Sequence, residues 1–365
     1  MEPTYPLVRP DVPKMETWQR YLDGIYSSNQ FSNGGSNWKS LNARLETLFP
    51  GRKVISVGNN TVGQISVLDA LQVRGKKIVI SNYTFPATLQ AVIHAGAIPV
   101  IADVDFNSGE MSIESVDAAI REHGKVDLVL YTRIFGQRID VKPLEEFLLA
   151  RNIPLVIDAA AGLPTIPAEH SESIEVFSFH ATKAFSVGEG GAIVGPESQV
   201  NAIWEACNFG IRDIDSFGDG INSKMDEFTA ARSLAMLEEF NTVARRRFDF
   251  VQDVYSQIQN HRNLQTISND GTWAWSLFPV RFFDEDHLSR FSASTRKLGL
   301  NGKKYYAPSM SKGYKGSATL LISSELRNSE SWTNNTYCLP VYAKYDLKEI
   351  KEIKEIISSA LQDLT

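Results

Sequence analysis

Lys183 stands among aromatic residues, in Phe177-Ser178-Phe179-His180-Ala181-Thr182-Lys183-Ala184-Phe185, followed by Gly188-Glu189-Gly190-Gly191-Ala192. Most lysines are solvated. One held between Phe179 and Phe185 just past a predicted strand loses water, and desolvation lowers the pKa of an amine toward what a Schiff-base lysine requires. The alternative is a loop lysine whose methylenes merely cover the two rings. Asp158 closes the apolar run Pro154-Leu155-Val156-Ile157, 25 residues before Lys183. A carboxylate at the C-terminal end of a strand can keep a pyridinium nitrogen protonated and so improve the ring as an electron sink. Equally, it can cap a helix that follows. Asn59-Asn60-Thr61 precedes a helix beginning near Val62, and Gly58 frees the backbone of the polar, turn-like Ser56–Asn60 stretch. Exposed N–H groups and a Thr hydroxyl at a helix start make an anion site, or simply a cap. Ser178 is a second hydroxyl for the same anion. In Tyr83-Thr84-Phe85-Pro86-Ala87-Thr88 an aromatic ring could stack on a flat cofactor or fill the core.

These residues need a scaffold that gathers strand ends. Candidate strands are Lys77–Ser81, Ala97–Ala102, Val126–Tyr131, Pro154–Asp158, Val176–Phe179 and Ala192–Val194. Their successive Val and Ile residues suit strands covered on both faces. Helical stretches fall between them at Thr61–Val73, Ala87–His94, Ile113–Arg121 and Lys142–Ala150. Strand and helix in alternation predict an α/β fold with a mostly parallel, doubly wound sheet, whose ligand site lies outside the carboxyl ends of the strands. Beyond Gly220 the pattern changes. A long helix is predicted from Met225 to Arg247, a strand at Trp275–Phe282, and a last helix with an apolar stripe of Ile350, Ile353, Ile357, Ala360 and Leu361. The expected division is a large domain over 1–242, opened by a helix and loop over 1–36, and a smaller α+β domain over 243–365.

Composition narrows the function classes. At ~150 residues per domain, 365 residues suggest two domains. Lys and Arg total 37 against 43 Asp and Glu, a net charge of −6 with no footprint for nucleic acid. No apolar run approaches the ~20 residues of a membrane helix. Met1-Glu2-Pro3-Thr4-Tyr5-Pro6 lacks the basic and apolar regions of a signal peptide. Cys207 and Cys338, 131 residues apart, exclude a disulfide scaffold and a cysteine zinc site, and the six histidines show no HxxxH spacing. The expectation is a cytoplasmic, soluble enzyme that acts on a small molecule, without a metal.

The order along the chain is phosphate turn, aromatic, ring-nitrogen carboxylate, hydroxyl, lysine. That order resembles the fold-type I pyridoxal-phosphate enzymes, and more narrowly the DegT-type sugar aminotransferases. The matching pieces include Arg9-Pro10, Ser32-Asn33-Gly34, Asn59–Thr61, Thr84–Thr88, Asp103-Val104-Asp105, Asp158-Ala159-Ala160, Ser178–Lys183 with Glu189-Gly190-Gly191, Gly220–Glu227, Ala230-Ala231 and Leu339-Pro340-Val341-Tyr342. The resemblance implies that pyridoxal 5'-phosphate is the cofactor, held covalently by Lys183, which also moves the proton. Asp158 would pair with the pyridine nitrogen and Phe85 would stack on the ring. Asn60, Thr61, the Val62 amide and Ser178 would lie at the phosphate. Asn222 would reach the phosphate of a neighbouring subunit, which implies a homodimer with shared sites. The other reading of Asn222 is a cap on the helix starting near Met225.

Some positions depart from the family pattern. Asn60 stands where Gly is usual. Ala161 stands where Gln or His often contacts the ring hydroxyl. Arg133 and Met310 stand at positions often held by His. The resemblance implies transfer of an amino group from glutamate to a nucleotide-linked keto-sugar. It favours dTDP-4-keto-6-deoxyglucose, giving a 4-amino-4,6-dideoxy sugar for surface polysaccharide such as lipopolysaccharide O-antigen. The alternatives are a 3-keto-sugar aminotransferase and a catalytically silent, cofactor-binding regulator. Dehydratase relatives carry His in place of the lysine, so Lys183 stands against that branch.

Overall fold

The computed structural model describes residues 4–137, 139–163, 172–259, 261–265 and 275–364. Met1, Glu2 and Pro3 of the N-terminal stretch lie outside them. Two helices come first, α1 (Met15–Ser28) and α2 (Ser36–Glu46). Then follow β1 (Lys53–Val57), α3 (Asn60–Ala70), β2 (Lys77–Ser81), α4 (Pro86–His94), β3 (Ile98–Ala102), α5 (Ile113–His123) and β4 (Leu128–Thr132). The series continues with α6 (Lys142–Leu149), β5 (Leu155–Asp158), β6 (Ile174–Ser178), β7 (Gly191–Gly195) and α7 (Val200–Cys207). The strands lie side by side in the order β1-β7-β6-β5-β4-β2-β3. The pairings from β6 to β3 are parallel, while β7 runs antiparallel to both β6 and β1. This is the mostly parallel doubly wound sheet expected from the sequence.

Alternation along each strand divides the core between the two faces. Val79 belongs to one apolar cluster with Leu41, Val129 and Phe177, while Ile78 and Ile80 belong to the other with Ile55 and Leu130. Fully burying such a side chain is worth about 1.5–3 kcal/mol, which makes this double-sided cladding the main source of stability. β1 is a correction to the sequence reading, which treated Ser56 onward as turn. Ser56 and Val57 are buried and paired with Ala192 and Gly191 of β7. The turn is confined to Gly58 and Asn59, because Val54, Ile55 and Val57 gain more from burial than a polar turn would.

The chain then makes a short hairpin, β8 (Ile211–Asp213) and β9 (Ser216–Phe217), before the 33-residue helix α8 (Glu227–Gln259). The helix predicted to end at Arg247 runs on to Gln259. Arg247 does not break it because its side chain is buried, with Nη1 2.6 Å from Asp11 Oδ2 and Nε donating to the Trp275 carbonyl at 2.8 Å. Phe240 packs into the first core and Phe250 into another, so the division expected at 242/243 falls inside one helix. The second core is built on an antiparallel sheet of β10 (Leu264–Gln265), β11 (Leu277–Phe282) and β12 (Lys303–Lys304), with β14 (Thr336–Pro340) between the last two. Around it lie α9 (Glu285–Lys297), α10 (Met310–Gly313), α11 (Arg327–Asn335) and α12 (Leu347–Gln362). Two short segments cross the expected division. Tyr5 packs into the second core, and β13 (Leu321–Ile322) pairs in parallel with β3 at the edge of the large sheet. Among the described residues, no helix is long and apolar enough to cross a membrane.

Candidate active site

The carboxyl ends of β4, β5 and β6 open into a cavity of about 620 Å³, walled on its far side by Lys303, Tyr305 and Tyr306 after β11. Asp158 is the last residue of β5 and stands beside Thr132 of β4 and Val176 of β6. It is only 3% exposed, yet it lines the cavity. Its Oδ2 accepts from Thr88 Oγ1 at 2.8 Å. Its Oδ1 accepts from Asn60 Nδ2 at 3.3 Å and from the Ala160 amide at 3.2 Å. Asp158 therefore holds the turn that follows it, while keeping acceptor capacity toward the cavity; among the described residues no helix follows for it to cap.

Lys183 lies in the turn that leaves β6, its amide donating to the His180 carbonyl at 2.8 Å. The side chain is half-buried in the cavity wall. Burial lowers its pKa, and the negative charge of Asp158 only partly opposes that effect. Phe179 and Phe185 pack against each other beside the turn, with centroids 4.8 Å apart, and anchor it in the core. His180 Nδ1 accepts from the Thr182 amide at 3.2 Å, and its Nε2 lies 3.6 Å from Glu189 Oε1. A glycine is required at 191: a Cβ there would lie 2.6 Å from the Phe177 carbonyl oxygen and 3.0 Å from the Asn60 nitrogen. That contact lets β7 press against the first turn of α3.

Thr61 lies in that first turn, on the cavity wall. Asn59 caps the helix, its Oδ1 accepting from the Val62 amide at 3.0 Å. Ser178, at the end of β6, lines the same cavity and accepts from the His180 amide at 3.2 Å. Phe85 precedes Pro86 at the start of α4, and its ring is 51% exposed on the cavity wall. Ala161 lies in the turn after β5 and presents only a methyl group to the cavity.

Asn222 is the expected site residue that does not line this cavity. It is exposed on the loop before α8 and makes a backbone bridge to Asn208, away from the cavity of its own chain. It does not cap α8, because Asp226 does: Asp226 Oδ1 accepts from the Phe228 and Thr229 amides at 2.8 and 3.0 Å.

The contacts of several residues here were not anticipated. Asn60 was expected at the phosphate, yet its side chain is buried beneath Asp158. Thr84, just ahead of α4, and Thr88, in its first turn, face one another with their hydroxyls 2.8 Å apart. Arg133 is 3% exposed and lines the cavity. Its Nη1 donates to the Gln137 and Ile139 carbonyls at 3.3 and 2.8 Å, while its Nε has no hydrogen bond among the described residues. Behind it lies Glu110, bonded by the Tyr131 hydroxyl, its carboxyl pushed up to about 8 by burial.

The chain resembles known proteins along nearly its whole length. The chain is 26% identical to dTDP-4-amino-4,6-dideoxy-D-glucose transaminase of Shigella dysenteriae, over 97% of this chain and all of that protein. GDP-perosamine synthase of Vibrio cholerae is 23% identical over 66% of this chain and 67% of its own length. Among solved structures, DesI in the presence of its TDP-sugar product superposes with a TM-score of 0.87 at 23% identity, covering 100% of this chain and 94% of that one. NtdA of Bacillus subtilis with bound cofactor PMP gives 0.80 at 19% identity, over 99% and 88%. The fold is thus the fold-type I aminotransferase fold implied by the sequence. The family profile itself matches residues 14–358, from the first helix to the last and through every wall of the cavity: the chain belongs to the DegT/DnrJ/EryC1/StrS aminotransferase family.

Proposed function

We propose that the protein moves an amino group from glutamate to a nucleotide-linked keto-sugar, with pyridoxal 5'-phosphate as cofactor. The observation that carries this reading is a lysine with a burial-lowered pKa sharing one cavity with a buried strand-end carboxylate. The residues present fit the cofactor. A carboxylate has about four lone-pair sites, and Asp158 fills three with Asn60, Ala160 and Thr88, which leaves one for a ring N–H. Thr61 at the N-terminus of an 11-residue helix and Ser178 offer hydroxyls and a positive dipole end to a phosphate. Phe85 offers an exposed ring face.

When bound, the cofactor supplies the carbonyl that exchanges with the donor amine and the ring that takes up the electron pair. The chain does the rest. Lys183 Nζ anchors the cofactor in its resting form. Once released, it is the base that takes the Cα proton of glutamate and, as an ammonium, the acid that gives it up. Asp158 holds the ring nitrogen protonated. Arg133 supplies a buried positive charge for a donor carboxylate, and neutral Glu110 does not cancel it at pH 7.

The acceptor must be larger than glutamate, and the cavity has room to extend. A neighbouring hollow of about 500 Å³ shares Phe85, Lys303, Tyr305 and Tyr306 with it and adds Tyr314 and Lys315. Aromatic rings and lysines suit a nucleoside diphosphate. By analogy with the Shigella relative, we favour dTDP-4-keto-6-deoxyglucose as acceptor and a cytoplasmic reaction that feeds surface polysaccharide. The reading includes a homodimer. The β8–β9 hairpin projects Ile214 and Phe217 at 98% and 81% exposure beside the Asn222 loop, an apolar tip suited to a second copy.

The test is a panel of 3-keto and 4-keto nucleotide sugars, incubated with loaded protein and glutamate and read by product mass. Amination of a 4-keto sugar is expected. Amination confined to 3-keto sugars moves the acceptor assignment, and cofactor binding without transfer points to the silent regulator. In the same assay Arg133→Met is expected to raise KM for glutamate by about 10- to 100-fold, the loss of one charge-assisted contact.

A further inference from the structure

Four hydroxyl and carboxyl groups form one line beneath the cavity. Thr132 Oγ1 lies 3.0 Å from Thr84 Oγ1, which lies 2.8 Å from Thr88 Oγ1, which lies 2.8 Å from Asp158 Oδ2. All four residues are buried. An ionised carboxylate only accepts, so the Thr88 proton points to Asp158. Thr88 must then accept from Thr84, and Thr84 from Thr132. Every proton in the line runs toward the carboxylate, and such chains strengthen each successive bond.

The other carboxylate oxygen meets a second oriented group. Asn60 Nδ2 donates to Asp158 Oδ1 at 3.3 Å and to the Val176 carbonyl at 2.8 Å. Asn60 Oδ1 accepts from Gln64 Nε2 at 2.7 Å. A flipped amide would set its oxygen against two acceptors, so only this orientation is satisfied.

We propose that Thr88, backed by Thr84 and Thr132, and Asn60, backed by Gln64, are positioning residues that hold Asp158 aimed at the cofactor's ring nitrogen. None of them need touch the cofactor for this role. The inference rests on the proposed use of pyridoxal phosphate, and it explains what a buried carboxylate otherwise lacks. Three donors replace the water it has lost and fix the plane of the carboxylate. The polar sites at positions 60, 84, 88 and 132 therefore act on one atom pair.

The experiment titrates the visible absorbance of the bound cofactor against pH in Thr88→Val, Thr84→Val, Thr132→Val and Asn60→Ala, with Thr88→Ser as the conservative control. An Asp158 no longer aimed at the ring nitrogen leaves that nitrogen less protonated, and Lys183 Nζ, in its link to the cofactor, becomes more basic. The band midpoint is expected to move to higher pH, most in Thr88→Val and least in Thr132→Val, with Thr88→Ser near the native value. The glutamate half-reaction should slow on the order of 10- to 100-fold in Thr88→Val, with KM little changed. Variants that lose thermal stability but keep the native midpoint would overturn the proposal, as would a Thr88→Ser shift equal to that of Thr88→Val. If Asn60→Ala does not fold, Gln64→Leu frees the Asn60 amide to turn and must shift the midpoint in the same direction. The band midpoint is read without any acceptor sugar. Inert sugars would thus count against the proposed acceptor alone, while an unmoved midpoint counts against the positioning role.

Discussion

Tyr306 lies flat against Phe135, with ring centroids 5.4 Å apart and planes 8° from parallel. Phe135 follows β4 of the large sheet, and Tyr306 follows β12 of the small one. Both line the cavity. The pair closes the cavity by joining the two sheets across it, and the backbone is shaped for the contact. Phe135 sits at φ 55° and Gly136 at φ 78°, where a Cβ would come within 2.5 Å of the Ala161 carbonyl oxygen.

Replacing Tyr306 tests that closure. Tyr306→Ala removes the stacked ring and is expected to cost about 1–3 kcal/mol in urea unfolding, together with a fall in kcat/KM for the acceptor. Tyr306→Phe keeps the stack and should lose less, only what the hydroxyl's bond to the Phe135 backbone contributes, about 1 kcal/mol. Equal losses in both variants would place the effect in the hydroxyl instead.

Lys183→Met should abolish transfer and, in the cofactor-free protein, raise stability. The folded-state pKa of Lys183 is lowered by burial, so the unfolded chain binds more protons below the ordinary value of about 10.5. The native lysine thus costs stability at neutral pH, and that cost fades as pH climbs toward 10.5. Denaturation at pH 7 and pH 10 checks the sign: the advantage of Lys183→Met is expected to shrink between them.

Glu110 works in the opposite sense. Burial pushes its carboxyl up to about 8, against 4.5 when exposed. Between those values the unfolded chain has released a proton that the folded chain keeps, so native stability falls as pH rises from 4.5 to 8. Glu110→Gln removes the titration and should flatten that part of the profile, leaving the variant relatively more stable at pH 8 than at pH 5. A profile as steep as the native one would show that Glu110 is charged in the fold.

Shared sites make a prediction for mixtures. Asn222 is exposed and outside the cavity of its own chain, although the resemblance puts it at a phosphate. Lys183→Ala and Asn222→Ala subunits, dissociated and reassembled together, should form dimers with one doubly damaged site and one intact site. Activity above either parent is expected. No rescue, or a fully active monomer in sedimentation, would remove Asn222 from the cofactor.

The groups that meet in the cavity were legible in the sequence because they occupy strand ends, where a polar residue interrupts an apolar run. Lys183 and Asp158 are of this kind. What escaped was whatever depends on contacts between distant segments. Asn60 and Asp158 are 98 residues apart, and nothing near Asn60 says that its amide turns inward. The strand at Lys53–Val57 was hidden because its pairing partner, β7, comes more than a hundred residues later. The long helix was cut short at a basic run because Asp11, which neutralises Arg247, belongs to the far end of the chain.

The outer wall of the cavity has a separate origin from its floor. The groups that face Asp158 and Lys183 hang from the large sheet and the first turns of α3 and α4. Lys303, Tyr305, Tyr306 and Tyr314 come from one later stretch, moored to the end of β2 where Met310 and Ser311 amides donate to Asn82 at 3.0 and 2.9 Å. Under the proposed function, substitutions within that stretch are expected to change which acceptor fits while leaving the groups around Lys183 and Asp158 in place: the choice of sugar and the handling of the amine would be separable along the chain.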